Sequence, residues 1–217
     1  MAVLFDLDGT LVDSVPFILA CARHAFEGYP GYSEAVWAAS IGTPLHTQVA
    51  AQAHRPEDVA PLEARYRAYW VEHHDRLTFA FPGAVDTVAA LAAARHPLGV
   101  VTAKTRQGAL RTLRHTGLLP HFAESAVICA DSCARCKPDP EPVHLALARL
   151  GAAAANAVLV GDSVHDLAAA RAAGVISVAA TWGVSSRAVL EREGPAHTIT
   201  DVREVIELVN ALQRSAA

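Results

Sequence analysis

The chain has 217 residues, of which 52% are hydrophobic, so it is long enough for one large domain or for a core domain with a smaller insertion. Its formal net charge of −4 and its pI near 6.2 argue against nucleic acid and anionic membranes as main partners. No apolar stretch could span a bilayer, and the N-terminus begins in a strand rather than a signal segment, so we expect a cytoplasmic protein. The sequence shows no coiled-coil heptads, and we expect a monomer or a homodimer.

The first predicted element is a short buried strand, Val3 to Phe5, which leads directly into Asp6-Leu7-Asp8-Gly9. The pair Asp13-Ser14, followed by Pro16, predicts a helix start with capping side-chain oxygens. Helical spacing then continues to about Arg76 with no convincing strand, which indicates a bundle of helices inserted as a separate cap. The predicted helices of this cap cover residues 17–26, 34–40, 45–53 and 57–75.

Strands and helices alternate over the rest of the chain, and this alternation predicts an α/β fold with a doubly wound parallel sheet. The strands are unbroken apolar runs, as expected when helices cover both faces of the sheet. The predicted strands cover residues 98–101, 126–129, 157–160 and 175–179, and the helices cover 84–94, 106–115, 143–150, 167–173 and 203–212, with the alanine-rich stretch 152–155 also expected to be helical. We therefore predict a core domain of residues 1–14 and 82–217 and a helical cap domain of residues 15–81.

Two carboxylates, Asp6 and Asp8, follow the first strand at the edge of the sheet where ligands bind in open α/β folds. Alone, this stretch also fits a simple Asp-Gly turn. Two carboxylates in such a crevice are costly unless a cation neutralises them, and carboxylate oxygens suit Mg²⁺ together with the oxygens of a substrate phosphate. We therefore predict Mg²⁺ as the cofactor.

Other polar residues follow the predicted strands in the same way. Thr102 ends one strand with Lys104 close behind, Lys137 lies in a proline-rich loop, and Asp162 and Asp166 follow a third strand. Taken singly, each fits a helix cap or an exposed loop residue. Because these side chains come at successive strand ends, we expect them to form one site for a metal ion and a phosphate group.

Four short motifs, in this order along the chain, resemble those of the haloacid dehalogenase-like hydrolases, and the resemblance spans essentially the whole sequence. It implies a Rossmann-like core with an inserted helical cap and the transfer of a phosphoryl group from a small phosphorylated metabolite. The motifs are Phe5-Asp6-Leu7-Asp8-Gly9-Thr10, Val101-Thr102, Lys137-Pro138, and Gly161-Asp162-Ser163 with Asp166.

The resemblance also implies a role for each motif residue. Asp6 would be the nucleophile that forms an aspartyl-phosphate, and Asp8 would protonate the leaving group and later activate water. Related dehalogenases lack this second carboxylate, so Asp8 favours a phosphatase. Mg²⁺ would be held by Asp6, the backbone carbonyl of Asp8 and Asp162, with Asp166 acting directly or through water, while Thr102 and Lys137 would steady the transferred group.

Two groups within the family are about equally similar to this chain, namely the phosphoglycolate phosphatases and the cytoplasmic pyrophosphatases. Ala103 stands where many phosphoglycolate phosphatases have Asn, which weakens that assignment. A phosphomutase of the β-phosphoglucomutase type is the alternative function, and a catalytically silent binding module is a third. The residues expected to contact the substrate are Thr102, Ala103, Lys104 and Lys137 in the core and Gly42, Thr43, His46 and Arg67 in the cap.

Two further patterns are interpreted as structural. Cys129, Cys133 and Cys136 have a spacing known from iron–sulfur enzymes, but we interpret them as reduced, partly buried thiols. Tyr66 and Trp70 could stack on a base or a sugar, although packing within the cap accounts for them more simply.

Overall fold

The computed structural model describes residues 1–215 and contains a six-stranded, all-parallel sheet. The strand order is β5-β4-β1-β6-β7-β8, so the N-terminal strand β1 lies at the centre of the sheet. This arrangement confirms the predicted doubly wound α/β fold. The strands are β1 (Ala2–Phe5), β4 (Leu98–Val101), β5 (Val127–Ile128), β6 (Ala157–Gly161), β7 (Ile176–Ala180) and β8 (His197–Ile199).

Successive side chains of a strand point to opposite sides of the sheet, so apolar side chains lie on both faces, and helices cover each of them. In β1, Val3 and Phe5 belong to one hydrophobic cluster and Ala2 and Leu4 to another. Every residue of β1 is therefore buried. The flanking helices are α5 (Ala84–Ala93), α6 (Arg106–His115), α7 (Glu141–Leu150), α8 (Val164–Ala173), α9 (Arg187–Arg192) and α10 (Glu204–Ser215).

Four helices form an insertion between β1 and α5. Phe17, Trp37, Val49 and Tyr66 contribute to a hydrophobic cluster separate from the two clusters on the sheet. A short antiparallel ribbon of β2 (Val12–Asp13) and β3 (Phe79–Ala80) lies at the base of the insertion, where the chain leaves the sheet domain and returns to it. We propose, on the basis of this separate cluster, that the insertion is the cap domain expected over residues 15–81. Its helices are α1 (Val15–Ala25), α2 (Glu34–Ser40), α3 (Leu45–Ala50) and α4 (Pro56–Leu77).

Several short elements differ from the expectations. The strands β2, β3 and β8 and the helix α9 were not predicted, because each is too short to show a clear periodicity. The expectation that residues 152–155 are helical is wrong, since only a 3₁₀ turn, Ala154–Asn156, forms before β6. Among residues 1–215, no helix combines the length and the apolar character needed to cross a bilayer.

Candidate active site

Asp6 lies directly after the central strand of the sheet. Its backbone amide donates to the carbonyl oxygen of Val160 in β6 at 2.9 Å, so the strand ladder fixes the backbone at this position. The side chain is only 4% exposed. Because the neighbouring strands β4 and β6 run parallel to β1, their following residues, Thr102 and Asp162, reach the same edge of the sheet.

Lys137 joins the first and fourth motifs. Its Nζ lies 2.6 Å from Oδ1 of Asp6, 2.6 Å from Oδ1 of Asp166 and 2.8 Å from the carbonyl oxygen of Val101. These three acceptors match the three donors of an ammonium group. Burial opposes the charged form, but the carboxylates of Asp166 and Asp6 outweigh it and hold the pKa of Lys137 above its usual value. Lys137 is therefore a buried cation within the site.

Three buried aspartates, Asp6, Asp162 and Asp166, each offer a carboxylate oxygen, and these oxygens lie within 4.8 Å of one another. Burial raises the pKa of Asp6 well above its ordinary value, with repulsion from the two other carboxylates adding to the effect. Burial likewise raises the pKa of Asp162 to about 7. Both pKa shifts have the same main cause, which is the burial of the carboxyl group, and repulsion from neighbouring carboxylates adds to it.

Both carboxylate oxygens of Asp162 accept a hydrogen bond. Oδ1 accepts from Oγ1 of Thr10 at 2.8 Å, and Oδ2 accepts from the backbone amide of Val184 at 2.7 Å. Gly183 makes this approach possible, because a Cβ at that position would lie 2.1 Å from Oδ2 of Asp162. Nothing local in Thr10 or in the loop after β7 indicates a contact with Asp162, so neither support could be expected from the sequence.

A capping box at the start of α8 orients Asp166. Its Oδ2 accepts from Oγ of Ser163 at 2.5 Å and from the Ser163 amide at 3.0 Å, while its Oδ1 faces Lys137. The helix-cap interpretation and the site interpretation of these residues are therefore compatible, because one carboxylate does both.

The aspartate cluster fits a divalent cation. Its donors are all hard carboxylate oxygens, and its three acids exceed the single ammonium of Lys137 in charge. The side chain of Asp8 does not belong to the cluster that the structure describes, and metal binding through its backbone carbonyl stays a prediction. Asp6 and Asp162 would hold Mg²⁺ with support from Asp166.

The carboxylate of Asp8 has a different set of partners. Its Oδ1 accepts from Oγ of Ser14 at 2.5 Å and lies 2.9 Å from Nζ of Lys104. Its Oδ2 has no hydrogen-bond partner within residues 1–215, so this oxygen can exchange a proton with a ligand. The expectation that Ser14 caps α1 with its side chain is wrong, because its hydroxyl is directed to Asp8 instead.

Thr102 extends β4 by one further ladder bond, since its amide donates to the carbonyl oxygen of Ile128 at 2.9 Å. Its Oγ1 accepts from the amide of Lys104 at 3.2 Å. Thr105, and not Thr102, caps α6, so the simple helix-cap interpretation of Thr102 is wrong. Thr102, Ala103 and Lys104 all line a cavity that also contains Asp6 and Asp8 in its wall.

This cavity, of about 480 Å³, lies between the helical insertion and the sheet edge. Gly42, Thr43, His46 and Arg67 contribute to its wall from the insertion, as the sequence suggested. His46 and Arg67 both bind Glu63, at 2.8 and 2.9 Å, and both are at least half exposed, which places them at the rim. Their contact with substrate stays a prediction.

Gly42 has a second role in addition to lining the cavity. Its φ is +101°, and a Cβ there would lie 2.8 Å from Oγ of Ser163 in the core. The loop around Gly42 therefore touches the fourth motif directly, and a larger residue would separate the two parts of the molecule.

Arg111 was not among the residues expected at the site, and packing was the simpler of two interpretations of Trp70. Both line the cavity, Trp70 from α4 and Arg111 from α6. Trp70 also packs on His74 with ring centroids 4.4 Å apart, so the packing interpretation holds in part. Arg111 gave no signal, because an arginine on an amphipathic helix looks like any solvated side chain.

Known proteins match the chain over nearly its full length. The model of a family described as haloacid dehalogenase-like hydrolases matches residues 3–180. The pyrophosphatase PpaX of Bacillus pumilus is 34% identical over 211 residues, which are 96% of each chain.

Solved structures show the same fold. A hydrolase from Pseudomonas syringae has a TM-score of 0.85 at 24% identity, with 99% of this chain and 98% of that chain covered. A Haemophilus somnus protein, described as "a predicted phosphoglycolate phosphatase", has a TM-score of 0.83 at 24% identity, with 95% and 96% covered. Because the family match covers most of the sequence and the Bacillus relative aligns along nearly all of it, the chain belongs to the haloacid dehalogenase-like hydrolases.

Proposed function

We propose that the protein is a Mg²⁺-dependent phosphatase that hydrolyses pyrophosphate or a small, phosphoglycolate-like phosphate ester through an aspartyl-phosphate on Asp6. The observation that carries this proposal is the buried contact between Asp6 and Lys137 at 2.6 Å, within a cluster of three carboxylates. A carboxylate can attack phosphorus only where positive charge offsets the negative charge of both groups. Lys137 supplies one such charge, and Mg²⁺ bound by the cluster would supply the other.

In the first step, an oxygen of Asp6 forms a bond to phosphorus as the bond from phosphorus to the leaving-group oxygen breaks. Oδ1 of Asp6 is held by Lys137, whereas Oδ2 accepts no hydrogen bond within the described part of the chain, so Oδ2 is the attacking atom. The leaving-group oxygen takes a proton from Oδ2 of Asp8. Thr102 is part of the cavity wall, and its hydroxyl would donate a hydrogen bond to the transferred group.

In the second step, Asp8 takes a proton from a water molecule whose oxygen attacks the phosphorus of the aspartyl-phosphate. The bond between phosphorus and Asp6 breaks, inorganic phosphate leaves, and Asp8 is again protonated for the next cycle. Ser14 and Lys104 hold the other oxygen of Asp8, so the same carboxylate oxygen serves in both steps.

The substrate has two candidates of similar chemistry. Pyrophosphate is supported by the 34% identity to PpaX, which is named a pyrophosphatase. Phosphoglycolate is supported by the sequence motifs, whereas the likeness to the Haemophilus somnus structure at 24% identity extends only to the fold. Ala103, in place of the more usual Asn, counts against phosphoglycolate.

Phosphate release from pyrophosphate, phosphoglycolate, an aryl phosphate, sugar phosphates and nucleotides, with Mg²⁺ and with EDTA, tests the proposal. We expect release only with Mg²⁺, and none from the variant Asp6→Asn. Asp86→Asn is the matched control, because Asp86 is an exposed aspartate on α5. Turnover by Asp6→Asn at the wild-type rate would contradict the proposal, and conversion of a sugar 1-phosphate to its 6-phosphate without free phosphate would favour the mutase.

A further inference from the structure

Arg111 connects the core helix α6 to the insertion helix α4 at the wall of the cavity. Its Nε lies 3.1 Å from Oδ1 of Asp75, and its Nη2 donates to the carbonyl oxygen of Val71 at 3.2 Å. Its guanidinium carbon lies 5.3 Å from the ring centroid of Trp70, which is the geometry of a cation–π contact. The side chain is therefore fixed in place and still 35% exposed.

Some N–H donors of the Arg111 guanidinium group remain available to a ligand. It carries five N–H groups, and its described contacts use Nε and Nη2 only. Nη1 makes no hydrogen bond within residues 1–215. The partner Asp75 is more than half exposed, so solvent screens its charge and it neutralises Arg111 incompletely. A fixed cation with free donors in a cavity wall is suited to an anionic group.

The buried side chain of His74 holds Asp75, the partner of Arg111, in place. Nδ1 of His74 lies 2.6 Å from Oδ1 of Asp75, and Nε2 of His74 lies 2.8 Å from Oγ1 of Thr112. Because a carboxylate only accepts hydrogen bonds, Nδ1 carries the proton, and Nε2 then accepts from the hydroxyl of Thr112. His74 is fully buried. Asp75 is thereby tied to α6, the same helix that carries Arg111.

A continuous set of contacts runs from the acid Asp8 to Arg111 along one wall of the cavity. Nζ of Lys104 lies 2.9 Å from Asp8 and 5.6 Å from the ring centroid of Trp70, whose ring also contacts Arg111. The leaving group must lie beside Asp8 to receive its proton. The cavity wall next to the leaving group is therefore the one that carries Lys104, Trp70 and Arg111.

We propose that Arg111 is a specificity-determining residue that binds an anionic group on the leaving group, such as a carboxylate or a second phosphate, and that Asp75 and His74 position it. The proposal deepens the phosphatase function stated above and rests on it. It narrows the substrate class to phosphate esters and anhydrides whose leaving group is itself negatively charged.

The test compares Arg111→Gln with the wild type on two kinds of substrate. Pyrophosphate and phosphoglycolate have anionic leaving groups, whereas p-nitrophenyl phosphate has an aryl leaving group without a second anion. Because the variant loses a hydrogen bond between two charged groups, we expect kcat/KM to fall about 10- to 100-fold on the anionic pair. On the aryl phosphate we expect a change within about twofold. Arg114→Gln, an exposed arginine on the same helix, should match the wild type on both.

Three outcomes separate this inference from the proposed function. An equal loss on both kinds of substrate, or no loss on either, overturns the role of Arg111. A wild type that releases phosphate from none of the substrates overturns the phosphatase function instead. The aryl phosphate rate also reports whether Arg111→Gln is folded, and Arg111→Lys, which keeps the charge but loses the planar fork, is expected to give an intermediate loss.

The proposed positioning of Arg111 by His74 and Asp75 is tested separately. Thr112→Val removes the hydroxyl that donates to His74, whereas Thr112→Ser keeps it. We expect Thr112→Val to raise KM for the anionic substrates with kcat little changed, and Thr112→Ser to restore the wild-type KM. A KM that is unchanged in Thr112→Val, or raised equally in both variants, overturns the positioning role of His74 and Asp75.

Discussion

Replacing Lys137 by Met tests how strongly the buried site depends on its one ammonium group. Lys137 is 3% exposed and contacts two carboxylates at 2.6 Å each. Methionine fills a similar volume, so the main change is that Asp6, Asp162 and Asp166 lose their internal cation. Removing one partner of a buried ion pair costs about 3–5 kcal/mol, because it leaves a buried charge without compensation.

For a chain of this size each kcal/mol corresponds to about 2–4 °C, so the melting temperature of Lys137→Met in EDTA should fall by about 6–20 °C. Added Mg²⁺ should recover part of this loss, because a cation in the carboxylate cluster replaces the missing charge. Arg114→Met is the control, and its unfolding free energy should stay within about 0.5 kcal/mol of the wild type. A Lys137→Met protein as stable as the wild type in EDTA would refute the reasoning.

Three other changes test separate parts of the structure. Burial lowers the pKa of His74 below its usual value of 6.5. Neutral His74 therefore stabilises the folded state fully above pH 6.5, and this contribution is lost as the pH falls. In urea denaturation, the unfolding free energy of His74→Gln should fall less than that of the wild type between about pH 7.5 and pH 5. Gly183→Ala places a Cβ 2.1 Å from Oδ2 of Asp162, so calorimetry should show Mg²⁺ affinity about 10- to 100-fold weaker, and unchanged affinity would contradict the crowding. Asp8→Asn should lower kcat about 10²- to 10⁴-fold in a phosphate-release assay with Mg²⁺ affinity unchanged, and a loss of Mg²⁺ binding would count against the acid–base role of its side chain.

The sheet could be predicted because its strands are buried on both faces. Four apolar runs, of which Val158 to Val160 is typical, alternate with amphipathic helices and leave one plausible fold class. The polar residues at the strand ends followed from the same logic, since parallel strands collect their carboxyl ends at one edge. Asp6, Lys137 and Asp162 were thus expected together, and the structure brings them together.

The supporting contacts could not be predicted, because no local sequence pattern indicates which two residues meet in the fold. Ser14 looked like a helix cap, and only the folded chain shows that its hydroxyl faces Asp8. Arg111 binds Asp75 across a gap of 36 residues, and neither position carries a local signal for the other. The ribbon of β2 and β3 was missed for the same reason, since two-residue strands are defined by their partner and not by a pattern.

The central position of β1 in the sheet has a consequence for folding during protein synthesis. Strand β1 precedes both of its neighbours, residues 98–101 and 157–161, so the edge that pairs with β6 stays without a partner until residue 161 has been synthesised. Such long-range pairing is slow to form and exposes apolar segments to aggregation in the meantime. Nascent chains that stop before β6 would carry Asp6 without the strand that fixes its backbone, so the carboxylate cluster can be complete only after β6 has been synthesised.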